Sequence, residues 1–590
     1  MKRLLSLLLA ASMFLSLPVY SQAEDGTELL SEVPAEEQTD VIPAEDEEPV
    51  EEPEDVSEEE PVRDVLTEEE ILEKDALYAE NVELRTQSVD APVFMNAGTA
   101  DSGTFGDGLT WSFENNTLTI SGEGAIPDNR NNSYPWYSYR RQIYTISIGK
   151  DITYIPLTVL ETCYALDAIS VEEGNLAYTV SDNVLFDREM HMLVYYPGAL
   201  AAETYHIPST VTELGQGALA DASQLTALTI PASVISIPEN SLPYYGDLES
   251  VTVESGSKAY CAVDGVLYDK NQSILMLYPP QKKDTSFVIP DTVTQLRNDS
   301  FRNNRFVTAV TVPAAVSELG YYPFMGCIKL ASVTVHADNK TFLSENGILY
   351  SKAMDTLLLY PPAKSGTTYT IPSTVESLER YALSEVAELT VLNIPASVRS
   401  INSYAIEHCA ALTAINVDAE NENYTSENGI LYDIRKSNLL IYPSAKTAAD
   451  FTVPNGVETI SVCAFNNVSA LRTLTIPGTV TAVRTEAVVN CENLTDIYIG
   501  GSPVIEEHAF DTGSEFTLHG LTGSRVELYA EKYGISFVST GSYTVSVVAQ
   551  GELTGTVSWT LDSLGTLTLT GTGALPDTFN DLSVYETSVR

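Results

Sequence analysis

Basic side chains are scarce in this chain: 31 Lys and Arg stand against 82 Asp and Glu, for a formal charge of −51. A surface this acidic repels phosphate backbones, which argues against nucleic acid as a partner. Histidine is equally thin, and His191, His206, His336, His408, His508 and His519 are scattered without ligand spacing. The chain has no His-Glu-x-x-His, no phosphate loop, no Gly-x-Ser-x-Gly elbow and no Cys-x-x-Cys. The chemistry that each of those motifs supports is therefore not expected, and neither is a cofactor or a metal. Gly122-x-Gly124 and Gly571-x-Gly573 hint at a dinucleotide fingerprint. Pro127 and Pro576 occupy the third glycine position, however, and no helical pattern follows. Past the N-terminus no apolar run is long enough to span a bilayer.

What is present is repetition. Asp264-Gly265-Val266-Leu267-Tyr268, Asn346-Gly347-Ile348-Leu349-Tyr350 and Asn428-Gly429-Ile430-Leu431-Tyr432 are near-copies, with Asp182-Asn183-Val184-Leu185-Phe186 a weaker one, at an 82-residue step. The Tyr-Pro prolines Pro197, Pro279, Pro361 and Pro443 keep the same step, as do Pro208, Pro290, Pro372 and Pro454 and the series Pro231, Pro313, Pro395 and Pro477. A strict period of this kind marks a stacked array in which each unit buries its apolar face against its neighbours. Within a block two shorter units lie 23 residues apart, as Pro208 and Pro231 show. In the unit from Leu389 to Ile415, alternation near Leu392 and Ile394 predicts a strand, Ile394-Pro395 ends it, and Ala405-Ile406 predicts a tight turn of helix. One strand per coil then stacks into a parallel sheet with a strand spacing of about 4.8 Å.

The repeated pattern Ile-Pro-x-x-Val-x-x-Ile-x-x-x-Ala-Phe/Ile-x-x-Cys-x-x-Leu-x-x-Ile resembles the BspA-type bacterial leucine-rich repeats over roughly two thirds of the chain. Departures are local: Gly149 replaces the later prolines, and Tyr245 stands where other blocks have Cys163, Cys327, Cys409 and Cys491. The fold class expected is a mainly β solenoid, a leucine-rich-repeat array with short parallel strands, short helical turns and inserted β-hairpins. The resemblance implies adhesion or host-factor binding, as for some members of that family.

The flanking sequence sets the organisation. Lys2-Arg3, the apolar run from Leu4 to Leu17 and the exit Ser21-Gln22-Ala23 read as a secretory signal over 1–23. Residues 24–90 hold 27 acidic and 3 basic side chains and read as a disordered acidic spacer, with a short helix expected after Thr67-Glu68-Glu69-Glu70. A small β module over 91–141 precedes the array. Its strands are Leu109–Phe113 and Thr117–Ile120, turned at Glu114-Asn115-Asn116. The array runs over 142–538 and closes with a helix after Gly523 that ends at Gly534. Val526, Tyr529, Ala530 and Tyr533 fall on one face of that helix. Residues 539–590 repeat the β module incompletely. Its second copy stops at Tyr585 and Arg590, short of the strand that follows the first copy, so a truncated sequence or a poorly ordered tail from about 578 is expected.

Register also sets expectations for the cysteines. Cys327, Cys409 and Cys491 share one position 82 residues apart. With at least two coils per block they stand about 10 Å or more apart, beyond the roughly 7 Å Cα limit, so no disulfide is expected. His408 beside Cys409 could suggest a nucleophile pair, but Cys409 occupies a buried repeat position. The Asp and Asn beside the turn glycines lack the spaced oxygen set of a calcium loop and read as turn formers. The inserted segments, such as 339–369, are expected to project from the solenoid as hairpins or meanders. As repeat insertions they would present Tyr268, Tyr350, Tyr432, Tyr278, Tyr360 and Tyr442 to a partner, against the plainer reading that these rings pack onto the array. Together these readings describe an exported, non-enzymatic, monomeric array at a bacterial surface that meets a protein or glycan ligand. The alternatives are the accessory region of a larger exported enzyme and a structural spacer.

Overall fold

A computed structural model describes residues 101–106, 108–128, 134–511, 515–554 and 557–572. The expected signal, the acidic spacer with its short helix, and the tail from about 578 lie outside the described residues. The described residues divide into two compact units, one ending at Ser546 and one beginning at Val547.

In the larger unit each coil contributes a four-residue strand whose alternate side chains are buried, as in Val391–Ile394, where Leu392 and Ile394 are 0% and 2% exposed. These strands pair in parallel and in register within a block, Thr368–Thr370 with Val391–Ile394 and the latter with Ala414–Val417. The coil has a second strand that the sequence reading missed. After the Ile-Pro step the chain forms a two-residue strand such as Ser400–Ile401, which pairs in parallel with Ser377–Leu378 of the preceding coil. The helical turn expected at Ala405-Ile406 does not form. Tyr404 and His408 flank it at φ +62° and +51°, and left-handed residues cannot continue a right-handed helix. Among the described residues α-helix is confined to Leu157–Glu161 and Arg525–Tyr533. The second of these is the expected closing helix. Ser524 caps it by accepting from the Val526 amide, Val526, Tyr529 and Ala530 are buried, and Gly534 ends it at φ +68°.

The first β module is hydrogen-bonded to the array. Strands Leu109–Glu114 and Thr117–Ser121 form the expected hairpin, with Asn115 and Asn116 at φ +51° and +61° in its turn. Thr117–Ser121 then pairs in parallel with Thr145–Ile148, the first coil strand. Trp111, Phe113, Leu118 and Ile120 share one apolar cluster with Ile146 and Ile148. The module therefore covers the edge that the first coil would otherwise leave open. In the smaller unit, Val547–Thr554, Val557–Asp562 and Leu567–Gly571 form a three-stranded antiparallel sheet. The duplication reaches the cross-strand pairs: Gly551 opposes Trp559 as Gly103 opposes Trp111.

The inserted segments do not project. Each is a three-stranded antiparallel meander, for example Phe342–Glu345, Ile348–Ser351 and Thr356–Leu359, whose third strand pairs in parallel with Ser377–Leu378 of the coil wall. Its middle strand is buried on both sides. Leu349 belongs to the apolar cluster of Val310, Leu330 and Val333 in the coils before it, whereas Ile348 and Tyr350 belong to that of Leu378, Leu392 and Ile415 in the coils after it. Leu267 and Leu431 face backwards in the same way, and Val266, Tyr268, Ile430 and Tyr432 face forwards. Each meander is a partition through the core, shared by the blocks on either side.

Two devices hold the partition in place. The turn glycine's carbonyl accepts from the last coil strand of the block, Val251 to Gly265, Val333 to Gly347 and Ile415 to Gly429, each at 2.9 Å. These bonds engage edge amides that the interrupted sheet would otherwise leave unpaired. A lysine at the same 82-residue step closes the turn from the other side. Lys282 Nζ donates to Asp264 C=O at 2.7 Å and Lys446 Nζ to Asn428 C=O at 2.6 Å, with Lys364 placed likewise on Asn346. Glycine is required by both conformation and space: Gly347 has φ +81°, and a Cβ there would lie 2.9 Å from Ser332 Cβ. Gly347→Ala is expected to lower stability by about 2 kcal/mol, from the left-handed penalty and the displaced strand. Chemical denaturation measures this, and an unchanged midpoint would contradict the close approach.

Candidate functional site

The six tyrosines expected to form a recognition face are interior residues. Tyr268, Tyr350 and Tyr432 are 2%, 1% and 2% exposed, and Tyr278, Tyr360 and Tyr442 are 0%, 2% and 2%. This corrects the projecting-hairpin expectation. The rings fill the forward side of each partition, where Tyr278 and Tyr442 stack on Phe301 and Phe465 at 4.8 and 5.1 Å between centroids. Their hydroxyls serve the interior too, since Tyr350 and Tyr369 share a buried hydrogen bond of 2.8 Å. Ile-Leu-Tyr with no polar alternation was the available signal, because a strand buried on both faces reads as a continuous apolar run.

The Cys-His pair is likewise packing. Cys409 Sγ donates to Leu383 C=O at 2.9 Å, and burial pushes its thiol up to about 12. His408 instead meets Glu407 at 2.9 Å and Asn467 at 2.8 Å. All six cysteines are free thiols, and only Cys261 is not buried. Among the described residues no His, Cys, Asp and Glu side chains gather as a metal-binding group of three or more.

A different surface stands out once the registers are known. Because strand side chains alternate, the outward positions of the coil strands line up in two rows across each sheet. One row runs Thr204, Ala227, Ser250 in one block and Ser286, Ala309, Ser332 in the next. The other runs His206, Thr229, Thr252 and then Val288, Thr311, Thr334. In the following block the second row is Thr370, Asn393 and Asn416. There Asn416 Nδ2 donates to Asn393 Oδ1, and Asn393 Nδ2 to Thr370 Oγ1, both at 3.0 Å. Asp450 and Asp496 are the only acidic residues in the two rows from Thr145 to Val538, and no lysine or arginine falls there. In a chain with a net charge of −51, this face is nearly neutral.

The face ends in a built cluster. Tyr498 is 38% exposed and stacks on His519 of the next strand, with ring centroids 4.1 Å apart and an interplanar angle of 13°. His519 Nε2 meets Asp496 Oδ1 at 2.7 Å, and Thr495 Oγ1 donates to the other carboxylate oxygen at 2.8 Å. The His519 contact, then the Thr495 one, hold the Asp496 carboxyl below its usual range. The aromatic pair is thus held through the His519–Asp496 contact, with the Tyr498 ring left partly exposed.

A match to a repeat-family profile agrees with this architecture. The profile of the BspA type leucine rich repeat region matches in 6 copies, over 198–261, 281–351, 363–438 and 441–523. A leucine-rich repeat protein from Eubacterium ventriosum is 21% identical, with 71% of this chain and 95% of that one covered and a TM-score of 0.29. A leucine rich cell surface protein from Faecalibacterium prausnitzii is 19% identical over 69% of this chain and 96% of that one, at a TM-score of 0.31. The pneumococcal vaccine antigen PcpA is 15% identical over 76% of this chain and 99% of that one, at a TM-score of 0.28. A comparison with curated proteins finds no match.

Proposed function

The chain belongs to the BspA-type leucine-rich-repeat family, and from that premise we propose that it is an exported, non-enzymatic interaction protein of the bacterial surface. The outward face of its coil strands is the contact surface. The observation that carries this reading is the near-neutral Ser, Thr and Asn face on a strongly acidic chain. A region without like charge is where an approaching partner meets least repulsion, and its aligned hydroxyls and amides supply both donors and acceptors. Export is supported by the Lys2-Arg3 start, the apolar run behind it and the Ala23 exit. Among the described residues no helix is long and apolar enough to cross a membrane.

Thr252, Thr334 and Asn416 are exposed and occupy one row in successive blocks. Thr252→Glu, Thr334→Glu and Asn416→Glu combined are expected to leave thermal unfolding within a few degrees of wild type. Retention on immobilised bacterial cell walls or extracellular-matrix preparation should fall at least about tenfold, since carboxylates buried without partners under a bound ligand cost more than the 1.4 kcal/mol that a tenfold change represents. A folded triple variant that binds as well as wild type, or a wild type that binds neither material, rejects the reading.

A further inference from the structure

We infer that the cluster of Tyr498, His519 and Asp496 is the anchoring seat for a neutral polysaccharide laid across the coil sheet. This rests on the contact face proposed above and names its ligand class.

The seat is preorganised. Tyr498 and His519 stand on paired strands, and Asp496 fixes the imidazole against the tyrosine ring. The ring therefore has little rotamer freedom left to lose on binding. His519 covers one face of Tyr498, so the opposite face turns toward Thr475 on the preceding strand. An exposed aromatic face beside a hydroxyl fits a pyranose ring: the sugar's C–H face meets the negative face of the π system, and its hydroxyls meet donors and acceptors at the rim. The neighbouring outward residues supply that rim, with Thr452 and Thr475 on one side and Thr517 on the other. Val538, 48% exposed beside His519, extends the apolar floor.

Charge selects the class of sugar. Asp496 is already engaged by His519 and Thr495, and neither outward row holds a lysine or arginine to balance a carboxylate or sulfate on a ligand. The acidic chain as a whole also repels polyanions. Within a block the outward side chains form a grid with spacings of about 4.8 Å across strands and about 7 Å along them. A polymer with periodic hydroxyls can meet such a grid many times, and weak contacts then add up as avidity. A folded protein partner would bring charged groups that this face does not answer.

The test is affinity electrophoresis of the full chain through gels containing mannan, xyloglucan, mixed-linkage β-glucan or dextran, with alginate as the polyanion control. Wild type should be retarded by at least one neutral polymer and not by alginate. Tyr498→Ala should abolish the retardation with unfolding unchanged, His519→Ala should reduce it, and Tyr498→Trp should preserve it. No retardation by any of the neutral polymers, or retardation by alginate of comparable size, overturns the inference. Retardation that survives Tyr498→Ala but disappears in the combined Thr252, Thr334 and Asn416 variant overturns the seat and leaves the contact face standing. Binding of matrix protein through that face with no polysaccharide retardation overturns the inference and leaves the contact face standing. If Tyr498→Ala and His519→Ala both unfold the last coils, retention by Tyr498→Phe with a threefold or greater weakening by Thr475→Glu still supports the seat, and an unaffected Thr475→Glu rejects it.

Discussion

Tyr350→Ala is expected to destabilise the array by about 3–5 kcal/mol, the range for removing a large buried aromatic ring. The ring lies in the middle strand of a partition, 1% exposed, within the apolar cluster that includes Leu378, Leu392 and Ile415. Its loss leaves a cavity that the coil wall cannot close without moving both blocks. It also strips the Tyr369 hydroxyl of its 2.8 Å partner, although Tyr369 is only 9% exposed. Tyr350→Phe separates the two contributions and should cost about 1 kcal/mol, the typical share of one hydrogen bond. Because a repeat array is held by nearest-neighbour interfaces, the alanine variant should also unfold over a broader denaturant range, with a lower m-value, as the blocks on either side uncouple. Urea titration followed by circular dichroism measures both effects. A loss below about 1 kcal/mol for the alanine variant would show that the partition is not shared core.

Asn339→Leu is expected to be at least as damaging. The Asn339 side chain is fully buried and uses every polar atom it has. Its Nδ2 donates to the Pro313 and Val316 carbonyls at 2.9 and 2.8 Å, and its Oδ1 accepts from the Thr341 and Phe342 amides at 2.9 and 2.8 Å. Leucine would leave four interior backbone groups without partners, each costing about 1–3 kcal/mol, so a loss of at least about 4 kcal/mol follows. Asn175 and Asn421 make the same four bonds in their own blocks. The second block offers an internal comparison. Ser257 takes the equivalent position, and its Oγ accepts from the Tyr260 amide at 3.2 Å. Asn339→Ser should therefore be milder than Asn339→Leu. Thermal unfolding ranks the variants, and hydrogen exchange at the Thr341 and Phe342 amides should accelerate in both. Equal stability of the leucine variant and wild type would remove the hub from the account of the fold.

These two side chains also mark where the sequence was readable and where it was not. The 82-residue step, the turn at Asn346-Gly347 and the closing helix over Arg525–Tyr533 were legible because each depends on local chemistry: period, positive φ, and a cap followed by a glycine stop. The destination of the meander was not local. Whether Ile348-Leu349-Tyr350 lies on a surface or between two cores depends on pairing with Ser377–Leu378, which no short pattern encodes. Strand periodicity places Tyr350 on a face but does not say what covers that face. The same limit hid the role of the first β module, whose pairing with Thr145–Ile148 is a parallel contact between separate elements. Of the contact face, the alternating Ser and Thr were visible in the sequence. Their alignment into neutral rows, and the Tyr498–His519 stack, required the register between coils.

The shared partitions bear on how such a chain can change in length. Leu349 belongs to the core before its meander and Tyr350 to the core after it, so a cut at any meander divides a pair of adjacent residues between two interiors. Removing a single 23-residue coil would bring a partition against a wall it does not fit. Excising one whole period, from Gly265 to Gly347, instead joins surfaces that already match, because Val266 and Tyr268 face forwards as Ile348 and Tyr350 do. Growth and shrinkage by complete blocks are thus the low-strain route for this array, and its length can be adjusted in fixed increments without redesigning a core.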